Sequence, residues 1–352
     1  MTPLGRLLLR QIAAQGPLSV AEYMATCLLH PEHGYYTTHD PLGGTGDFIT
    51  APEISQVFGE LIGLCLAQAW LDRGAPSPFV LAELGPGRGT LMADALRATR
   101  DVPGFHAAMQ VHLVELSPVL RAAQADRLAG FAPRWHDSVA DLPDLPLFLI
   151  ANEFLDALPV RQFLRDGAAW RERVIGMRDD TLAFGLTDPT QPAALTPRLA
   201  NTRDGDMVET CAPAVALAQH VGGRITAQGG VALFIDYGSA QSLGDTFQAV
   251  HHHRKVPPLH LPGQCDLTAH VAFAPLAEAA ECAATLTDQG AFLERLGSGP
   301  RHGALARGKT EAQIETLIAA HRRLTHPTEM GQLFKVLALF CDNGPAPAGT
   351  KA

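Results

Sequence analysis

Acidic or amide side chains stand directly after several apolar runs of the sequence. They are Glu83, Glu115, the pair Asn152-Glu153 with Asp156 close behind, and Asp236. Apolar runs of this kind are typical of buried parallel strands, and ligands bind beyond the carboxyl ends of such strands. An acid there is costly to bury unless it meets a cation or a polar ligand. We therefore expect these side chains to gather at one sheet edge and to carry the chemistry.

A glycine-rich segment follows the first apolar run, as Glu83-Leu84-Gly85-Pro86-Gly87-Arg88-Gly89-Thr90. Apolar residues at helical spacing come next, so the unit is strand, loop and helix. Glycines let backbone N–H groups approach a ligand closely. The third glycine follows the second by two residues, not by the three of a dinucleotide fingerprint, which favours S-adenosylmethionine over NAD. An ordinary strand-to-helix turn stays open for the loop alone, whereas Glu83, facing a methionine ammonium, favours the cofactor.

Three further residues are assigned to the cofactor. Glu115 ends the apolar run 110–116, where an acid in an open α/β nucleotide site accepts both ribose hydroxyls, and Leu116 follows it. The alternative for Glu115 is a cap on the helix that begins at Pro118. Asn152 ends the central strand predicted at 147–151, and its side chain is expected to face the cofactor.

Composition narrows the class of protein. The 352 residues, 47% of them hydrophobic, can bury a large α/β core with additions, or two domains. The formal charge of −9 and the lack of a basic stripe argue against nucleic acid as the main partner. No apolar run approaches the ~20 residues that span a bilayer, so membrane insertion is excluded. Six cysteines without a Cys-x-x-Cys pair predict reduced thiols.

Histidines and the N-terminus leave two alternatives open. His30, His33, His39 and the run 251–253 match no standard ligand spacing, so no metal is predicted and 251–253 is interpreted as a solvated basic loop. The first 20 residues contain two arginines and no acid, as a mitochondrial transit peptide can, but their leucines also fit a core-facing helix. We expect a cytoplasmic protein, or one of the mitochondrial matrix if the source is eukaryotic.

The chain divides into five predicted parts: a helical extension and lid at 1–74, the first part of the core at 75–160, a substrate-side β meander at 161–210, the rest of the core at 211–342 with an irregular insertion at 239–265, and a disordered tail at 343–352. The extension is predicted to hold helices at 4–15 and 19–30, with Ser19 as an N-cap. A longer helix is predicted from Pro52 to Trp70, with Val57, Leu61, Leu64 and Leu71 on one buried face. A helix at 214–220, a loop at 266–268 and a last strand at 333–340 complete the prediction.

Several segments, taken together in their order, resemble the MidA-like class I S-adenosylmethionine-dependent methyltransferases, which include a mitochondrial protein arginine methyltransferase that assists complex I assembly. The matching segments are 19–24, 30–36, 46–60, 83–90, 114–118, 152–160, 235–238, 266–269 and 334–337. The resemblance implies an α/β, Rossmann-like, seven-stranded sheet whose last strand is antiparallel, with a helical N-terminal extension and an inserted β meander. It also implies S-adenosylmethionine as the cofactor and an arginine of a protein, a complex I core subunit or its counterpart, as the substrate.

Methyl transfer needs an aligned and unprotonated nucleophile, and carboxylates can hold a guanidinium in a bidentate fork. Glu153 and Asp156 are the first predicted catalytic residues, with Asp236 as a third. The predicted substrate and lid residues are Asp47, Phe48, Thr50, Ser55, Gln56 and Tyr237. A small-molecule O- or N-methyltransferase and an assembly factor that acts mainly by binding are the open alternatives. The sequence leaves the oligomeric state open.

Overall fold

The computed structural model describes residues 1–38 and 50–350 of the chain. The N-terminal extension begins with α1 (Pro3–Gln15), β1 (Leu18–Ser19), α2 (Val20–Leu29) and α3 (Tyr35–Thr38), and continues with α4 (Ala51–Ile54) and α5 (Gln56–Asp72). Ser19 caps α2 as predicted, because its hydroxyl accepts the Glu22 N–H at 3.1 Å while the Glu22 carboxylate accepts the Ser19 N–H at 2.8 Å. This reciprocal capping box fixes where α2 starts.

The single helix predicted from Pro52 is wrong, because Ser55 is extended (φ −157°, ψ 132°) and separates α4 from α5. The predicted buried face is also wrong in part, since Leu64 and Leu71 are 43% and 44% exposed. Phe58, Ile62 and Leu66 are buried instead. Apolar residues cover most of the circumference of α5, so their spacing could not show which side faces solvent.

The first part of the core alternates strands and helices. Its elements are β2 (Phe79–Leu84), α6 (Thr90–Ala98), α7 (Phe105–Ala108), β3 (Met109–Val114), α8 (Pro118–Arg127), β4 (Arg134–His136) and β5 (Leu147–Asn152). All six residues of β2 and of β5 are buried. Buried faces on both sides of a strand are typical of a parallel sheet covered by helices.

The predicted β meander is confirmed as an antiparallel sheet beside the core. It contains β6 (Arg161–Asp166), β7 (Ala169–Arg178), β8 (Thr181–Leu186) and β9 (Met207–Thr210). The N-terminal β1 joins this sheet, because Leu18 and Ser19 pair with Ile175 and Val174 of β7. The insertion and the N-terminal extension are therefore one connected layer.

The second part of the core returns to the main sheet. Its elements are α9 (Ala212–Gln228), β10 (Gly230–Ser239), β11 (Gln248–His251), β12 (Arg254–Val256), β13 (Asp266–Thr268), β14 (Val271–Ala272), α10 (Phe273–Ala279), β15 (Ala283–Asp288), α11 (Gln289–Arg295), α12 (Ser298–Leu305), α13 (Glu311–Thr325) and β16 (Phe334–Phe340). Helix α9 is longer than the predicted 214–220. Gly222 lies inside it for packing rather than to end it, since a Cβ there would stand 2.0 Å from the Ala280 carbonyl oxygen.

The main sheet confirms the prediction of a seven-stranded sheet whose last strand is antiparallel. Its seven principal strands follow the order β15-β16-β10-β5-β2-β3-β4, and β14 pairs with the end of β10. Strand β16 is antiparallel to both of its neighbours, whereas β10, β5, β2, β3 and β4 are parallel. Leu84 lies opposite Val114, and Asn152 lies opposite Ile235, so the strands end at the same edge. The acidic residues that follow them are thereby brought together.

Three local predictions are corrected. The insertion at 239–265 is not wholly irregular, because β11 and β12 form a hairpin whose turn holds His252 and His253. The predicted loop at 266–268 is the strand β13, which pairs with β11. The tail is ordered through residue 350: Pro347 is buried, and the Cys65 thiol donates to the Ala348 carbonyl at 3.3 Å. Contacts with α5 therefore fix a tail whose composition alone suggested disorder.

The described residues contain no helix that is both long enough and apolar enough to cross a membrane. The six cysteines are free thiols.

Candidate active site

A cleft of about 540 Å³ opens at the carboxyl edge of the main sheet. The glycine loop and the segment 153–159 form one side, and α2, α3 and Thr50 form the other. A smaller recess of about 70 Å³ continues under the loop, between Glu83, Arg88 and Asn152. The cleft therefore lies between the sheet and the N-terminal extension.

The glycine loop has a left-handed backbone at each of its three glycines. Gly85, Gly87 and Gly89 have φ values of 60°, 54° and 75°. A Cβ at Gly85 would also stand 2.7 Å from the ring of Phe154. Gln124 holds the loop by donating to the Gly87 carbonyl at 2.6 Å. Pro86 lines the recess, and Gly85 and Gly87 line both the recess and the cleft, whereas Gly89 lies behind them at the start of α6.

Two buried acceptors line the recess without a hydrogen-bond partner among the described residues: Glu83 Oε2 and Asn152 Oδ1. Glu83 is 3% exposed, and its burial raises its pKa to about 8. Unsatisfied buried acceptors point to a donor that is not part of the chain. The ammonium of an amino acid is such a donor. The glycines of the loop beside these acceptors carry no side chain, so a ligand can lie close to the backbone.

At the other end of the cleft lie Glu115 and Leu116. The Glu115 carboxylate accepts the Ser117 N–H at 2.9 Å and also lines the cleft. The N-cap of α8 is Ser117, whose hydroxyl accepts the Leu120 N–H at 3.5 Å. Leu116 is 58% exposed. Asp137 lines the same end, one residue beyond β4, and pairs with Arg121 at 2.5 Å. Sequence reasoning missed Asp137, although an acid after a short predicted strand was the available signal.

Glu153 and Asp156 both line the cleft. Glu153 has a left-handed backbone (φ 49°), and its Oε1 accepts the Ala51 N–H at 2.8 Å and the Asn152 amide at 3.2 Å. Tyr237 lines the same cleft as Asp156. Burial raises the pKa of Glu153 to about 7 and that of Asp156 to about 6. Both carboxylates therefore take up a proton more readily than a solvated acid does.

Tyr36 and Asp266 form a hydrogen-bonded acid and phenol pair that also lines the cleft. The Tyr36 hydroxyl donates to Asp266 Oδ1 at 2.9 Å, and Asp266 is 5% exposed. Sequence reasoning placed both residues in family-like segments without assigning them to the site. Only the fold, which brings α3 against β13, shows that they face the same cleft as Tyr237.

Asp236 lies beneath the site rather than in it. It is fully buried, its Oδ2 accepts the N–H groups of Leu155 and Asp156 at 2.9 and 3.1 Å, and its Oδ1 accepts that of Tyr237 at 2.8 Å. Burial raises its pKa well above the usual range of a carboxyl. The predicted contact with substrate is corrected to a role in shaping the segment that carries Asp156.

The predicted lid residues divide into three groups. Asp47 and Phe48 lie outside the described residues, and Thr50 lines both the cleft and the recess. Ser55 and Gln56 are turned away from the cleft, because the break between α4 and α5 directs Ser55 towards His302 and Gln56 towards Glu60. Within residues 1–38 and 50–350, no cluster of three or more His, Cys, Asp or Glu could hold a metal ion.

Comparison with known proteins agrees with this geometry. The family model of S-adenosyl-L-methionine-dependent methyltransferases matches residues 61–291. The chain is 36% identical over 375 residues to the Drosophila melanogaster protein named "Protein arginine methyltransferase NDUFAF7 homolog, mitochondrial", covering 96% of this chain and 84% of that one. It is 35% identical to the human protein arginine methyltransferase NDUFAF7, also named mitochondrial, covering 96% of this chain and 83% of that protein.

A solved structure is similar over nearly the whole length. It is a COG1565 superfamily member from Burkholderia thailandensis with bound S-adenosyl-homocysteine, 29% identical, with a TM-score of 0.84 and coverage of 99% of this chain and 95% of that one. A native crystal structure of a COG1565 superfamily protein from the same organism is 30% identical, with a TM-score of 0.82 and coverage of 99% of this chain and 95% of that one. The sheet order, the glycine loop with its unsatisfied acceptors and these matches lead to one conclusion: the chain belongs to the family of S-adenosylmethionine-dependent methyltransferases.

Proposed function

We propose that this protein transfers a methyl group to a guanidinium nitrogen of an arginine in another protein. The observation that carries the proposal is that Glu153 and Asp156 line one cleft, where the neutral Ala51 and Asn152 amides donate to Glu153. Two adjacent carboxylates are complementary to the forked donors of a guanidinium. The names of the Drosophila and human relatives support the same acceptor class.

The cofactor-binding residues are proposed from the recess outwards. Glu83 and Asn152 would accept from the ammonium of S-adenosylmethionine, and Arg88, which lines the recess, would face its carboxylate. Glu115 would accept the ribose hydroxyls, and Leu116 and Asp137 would lie beside the adenine base. When bound, the cofactor supplies a sulfonium methyl group that a nitrogen lone pair can attack.

Residues of the chain prepare the acceptor nitrogen. Glu153 and Asp156 would orient the guanidinium and draw its positive charge towards the two nitrogens they hold, which leaves electron density on the third. The extra proton on that nitrogen after methylation must leave, and a carboxylate with a pKa near 7 is suited to accept it. Tyr237, which lines the same cleft, would orient Asp156 through its hydroxyl.

The identity of the acceptor protein is a finer proposal. The family resemblance implies a core subunit of respiratory complex I or its counterpart. The compartment follows from the source: we propose the cytoplasm of a bacterial cell, whereas a eukaryotic source would place the protein in the mitochondrial matrix, as the names of the relatives have it.

The direct test uses labelled S-adenosylmethionine and an extract from cells that lack the protein, with mass spectrometry of the labelled product. We expect label on an arginine side chain of a protein with wild-type enzyme. The Glu153→Gln variant, which preserves the size of the side chain and leaves Glu83, Asn152 and the glycine loop of the recess unchanged, should leave that arginine unlabelled. Label confined to small molecules would overturn the proposal, and label on a protein residue other than arginine would overturn the acceptor class.

A further inference from the structure

The break between α4 and α5 places a backbone donor on the proposed catalytic carboxylate. Helix α4 is a single turn, and its first N–H, that of Ala51, donates to Glu153 Oε1 at 2.8 Å. Glu53 in the same turn accepts from the Thr90 hydroxyl at 2.5 Å. Because the amino-acid pattern favours one uninterrupted helix from Pro52, contacts from elsewhere in the chain must hold the break.

Ser55 is the residue of the break, and its side chain points into the protein towards α12. Its hydroxyl lies 3.1 Å from His302 Nε2, while His302 Nδ1 lies 2.9 Å from the Ser298 carbonyl oxygen. A carbonyl only accepts, so Nδ1 carries the hydrogen and Nε2 accepts from Ser55. Ser55 Oγ in turn accepts the Val57 N–H at 3.3 Å, which caps α5. Ser55 and His302 are 8% and 5% exposed, so water cannot readily take over the hydrogen bond when one of the two side chains is replaced.

We propose that His302 is a positioning residue for Glu153: it fixes the extended conformation of Ser55, and this keeps the Ala51 N–H on the Glu153 carboxylate. The inference rests on the proposed function only in giving Glu153 its catalytic part. We call the chain of contacts from His302 through Ser55 to Ala51 the bracket. These contacts are present whatever the role of Glu153.

The surroundings of His302 separate this role from general support of the fold. Its ring lies 5.0 Å from that of His321, and Glu294 and Glu60 are the nearby acids. Burial lowers the pKa of His302, which keeps the imidazole neutral and able to accept. The neighbouring Arg301 binds Glu60 of α5 at 2.7 Å, so α12 stays attached to α5 when only the imidazole is replaced.

The first experiment measures kcat/KM against pH. His302→Phe and Ser55→Ala should each raise the apparent pKa of the acidic limb of the profile by about half a pH unit. This corresponds to a roughly threefold loss of kcat/KM below pH 7. The shift is expected because the Ala51 amide hydrogen bond that lowers the pKa of Glu153 is weakened. The double variant should show no further shift, as expected for residues acting in one chain of contacts. His302→Gln, which keeps an acceptor near Ser55, should restore the limb. His321→Gln, on the adjacent ring, is the matched control and should leave the limb unchanged.

A second experiment needs no substrate. Residue-resolved hydrogen exchange should show that the Ala51 amide loses protection in His302→Phe and Ser55→Ala but keeps it in His302→Gln and His321→Gln. Unchanged protection together with an unmoved limb would overturn the inference, even if activity or stability falls. If His302→Phe does not fold, Ser55→Ala alone decides between these outcomes. Full activity of Glu153→Gln would refute the proposed function, whereas the exchange result would still decide whether the bracket exists.

Discussion

The two halves of the cleft are built in different ways. The cofactor half comes from consecutive strand and helix units. Glu83 lies at the end of β2, the glycine loop follows that strand, and Glu115 follows the neighbouring strand β3. The acceptor half brings together Tyr36, Ala51, Asp156 and Asp266, which come from the extension, the segment after β5 and β13. The first half follows from the fold class, while the second depends on contacts that only this arrangement of additions provides. Changes in the two halves should therefore have separable effects.

Glu153→Gln should give the largest effect. Removing the negative charge should lower the rate of methyl transfer by about a hundredfold or more, because the guanidinium loses its partner and the departing proton its acceptor. S-adenosylmethionine affinity, measured by calorimetry, should stay within about threefold of wild type, since the substitution preserves the size of the side chain and leaves Glu83 and Asn152 in the recess. Glu115→Gln should show the opposite pattern, with weaker cofactor binding. If Glu153→Gln lowered the rate of methyl transfer and the S-adenosylmethionine affinity equally, the cofactor half and the acceptor half of the cleft would not be separable.

Gly87→Val should abolish cofactor binding, because its Cβ and methyl groups would stand where the ligand must approach. A valine at φ 54° is also strained in the backbone, so the milder Gly87→Ala is the sharper variant and should weaken binding by about tenfold or more. Gly167→Ala is the matched control: its φ is 60°, and nothing lies within 4 Å of a Cβ there. It should carry the same strain with unchanged affinity in calorimetry. Unchanged affinity in a folded Gly87→Ala would remove Gly87 from the cofactor site.

The pH profile should report the acceptor half. Because the pKa of Glu153 is raised to about 7 by burial and its ionised form is the competent one, kcat/KM should rise up to tenfold per pH unit below 7 and level off above it. Asp156, with a pKa of about 6, should steepen the fall at lower pH. The residual activity of Glu153→Gln should lack the step near pH 7. A flat wild-type profile between pH 6 and 8 would contradict this assignment.

The smallest effect is expected on stability, and it reports the cofactor half. The pKa of Glu83 is about 8 in the folded chain, above the 4.5 of a free glutamate, so the folded state binds more protons between these values. Stability without cofactor should therefore fall as pH rises through this window. Glu83→Gln should reduce that slope, with a melting temperature a few degrees above wild type at pH 8.5 and closer to it at pH 5. An identical slope in both proteins would show that Glu83 is not the titrating group.

The sequence predicted the main sheet well, because apolar runs of strand length and the acids behind them are local features. The antiparallel β16 came from the family resemblance and is confirmed. The site was harder, since all acids at strand ends look alike in sequence. Asp236 is distinguished from Asp156 only by three backbone donors that the folded chain brings to it.

The break at Ser55 could not be predicted for a similar reason. Its partner His302 is 247 residues away, and the local signal, a serine able to cap α5, is weaker than the apolar helical pattern on both sides of it. The pair of Tyr36 and Asp266 spans 230 residues and was missed in the same way. The predicted disorder of the tail failed because glycine and proline, which are common in disordered segments, also fit a chain laid against a helix.

The two residue pairs between β1 and β7 connect the cover of the cleft to the insertion. Since α2 follows β1 without a gap, the helix that lines the cleft is connected directly to the sheet of the insertion. Substrate entry that lifts α2 must then carry the edge of the insertion sheet along with it. An engineered cross-link between positions 18 and 175 should leave such a joint movement possible, whereas a cross-link from α2 to the segment after β5 should lock the entrance shut.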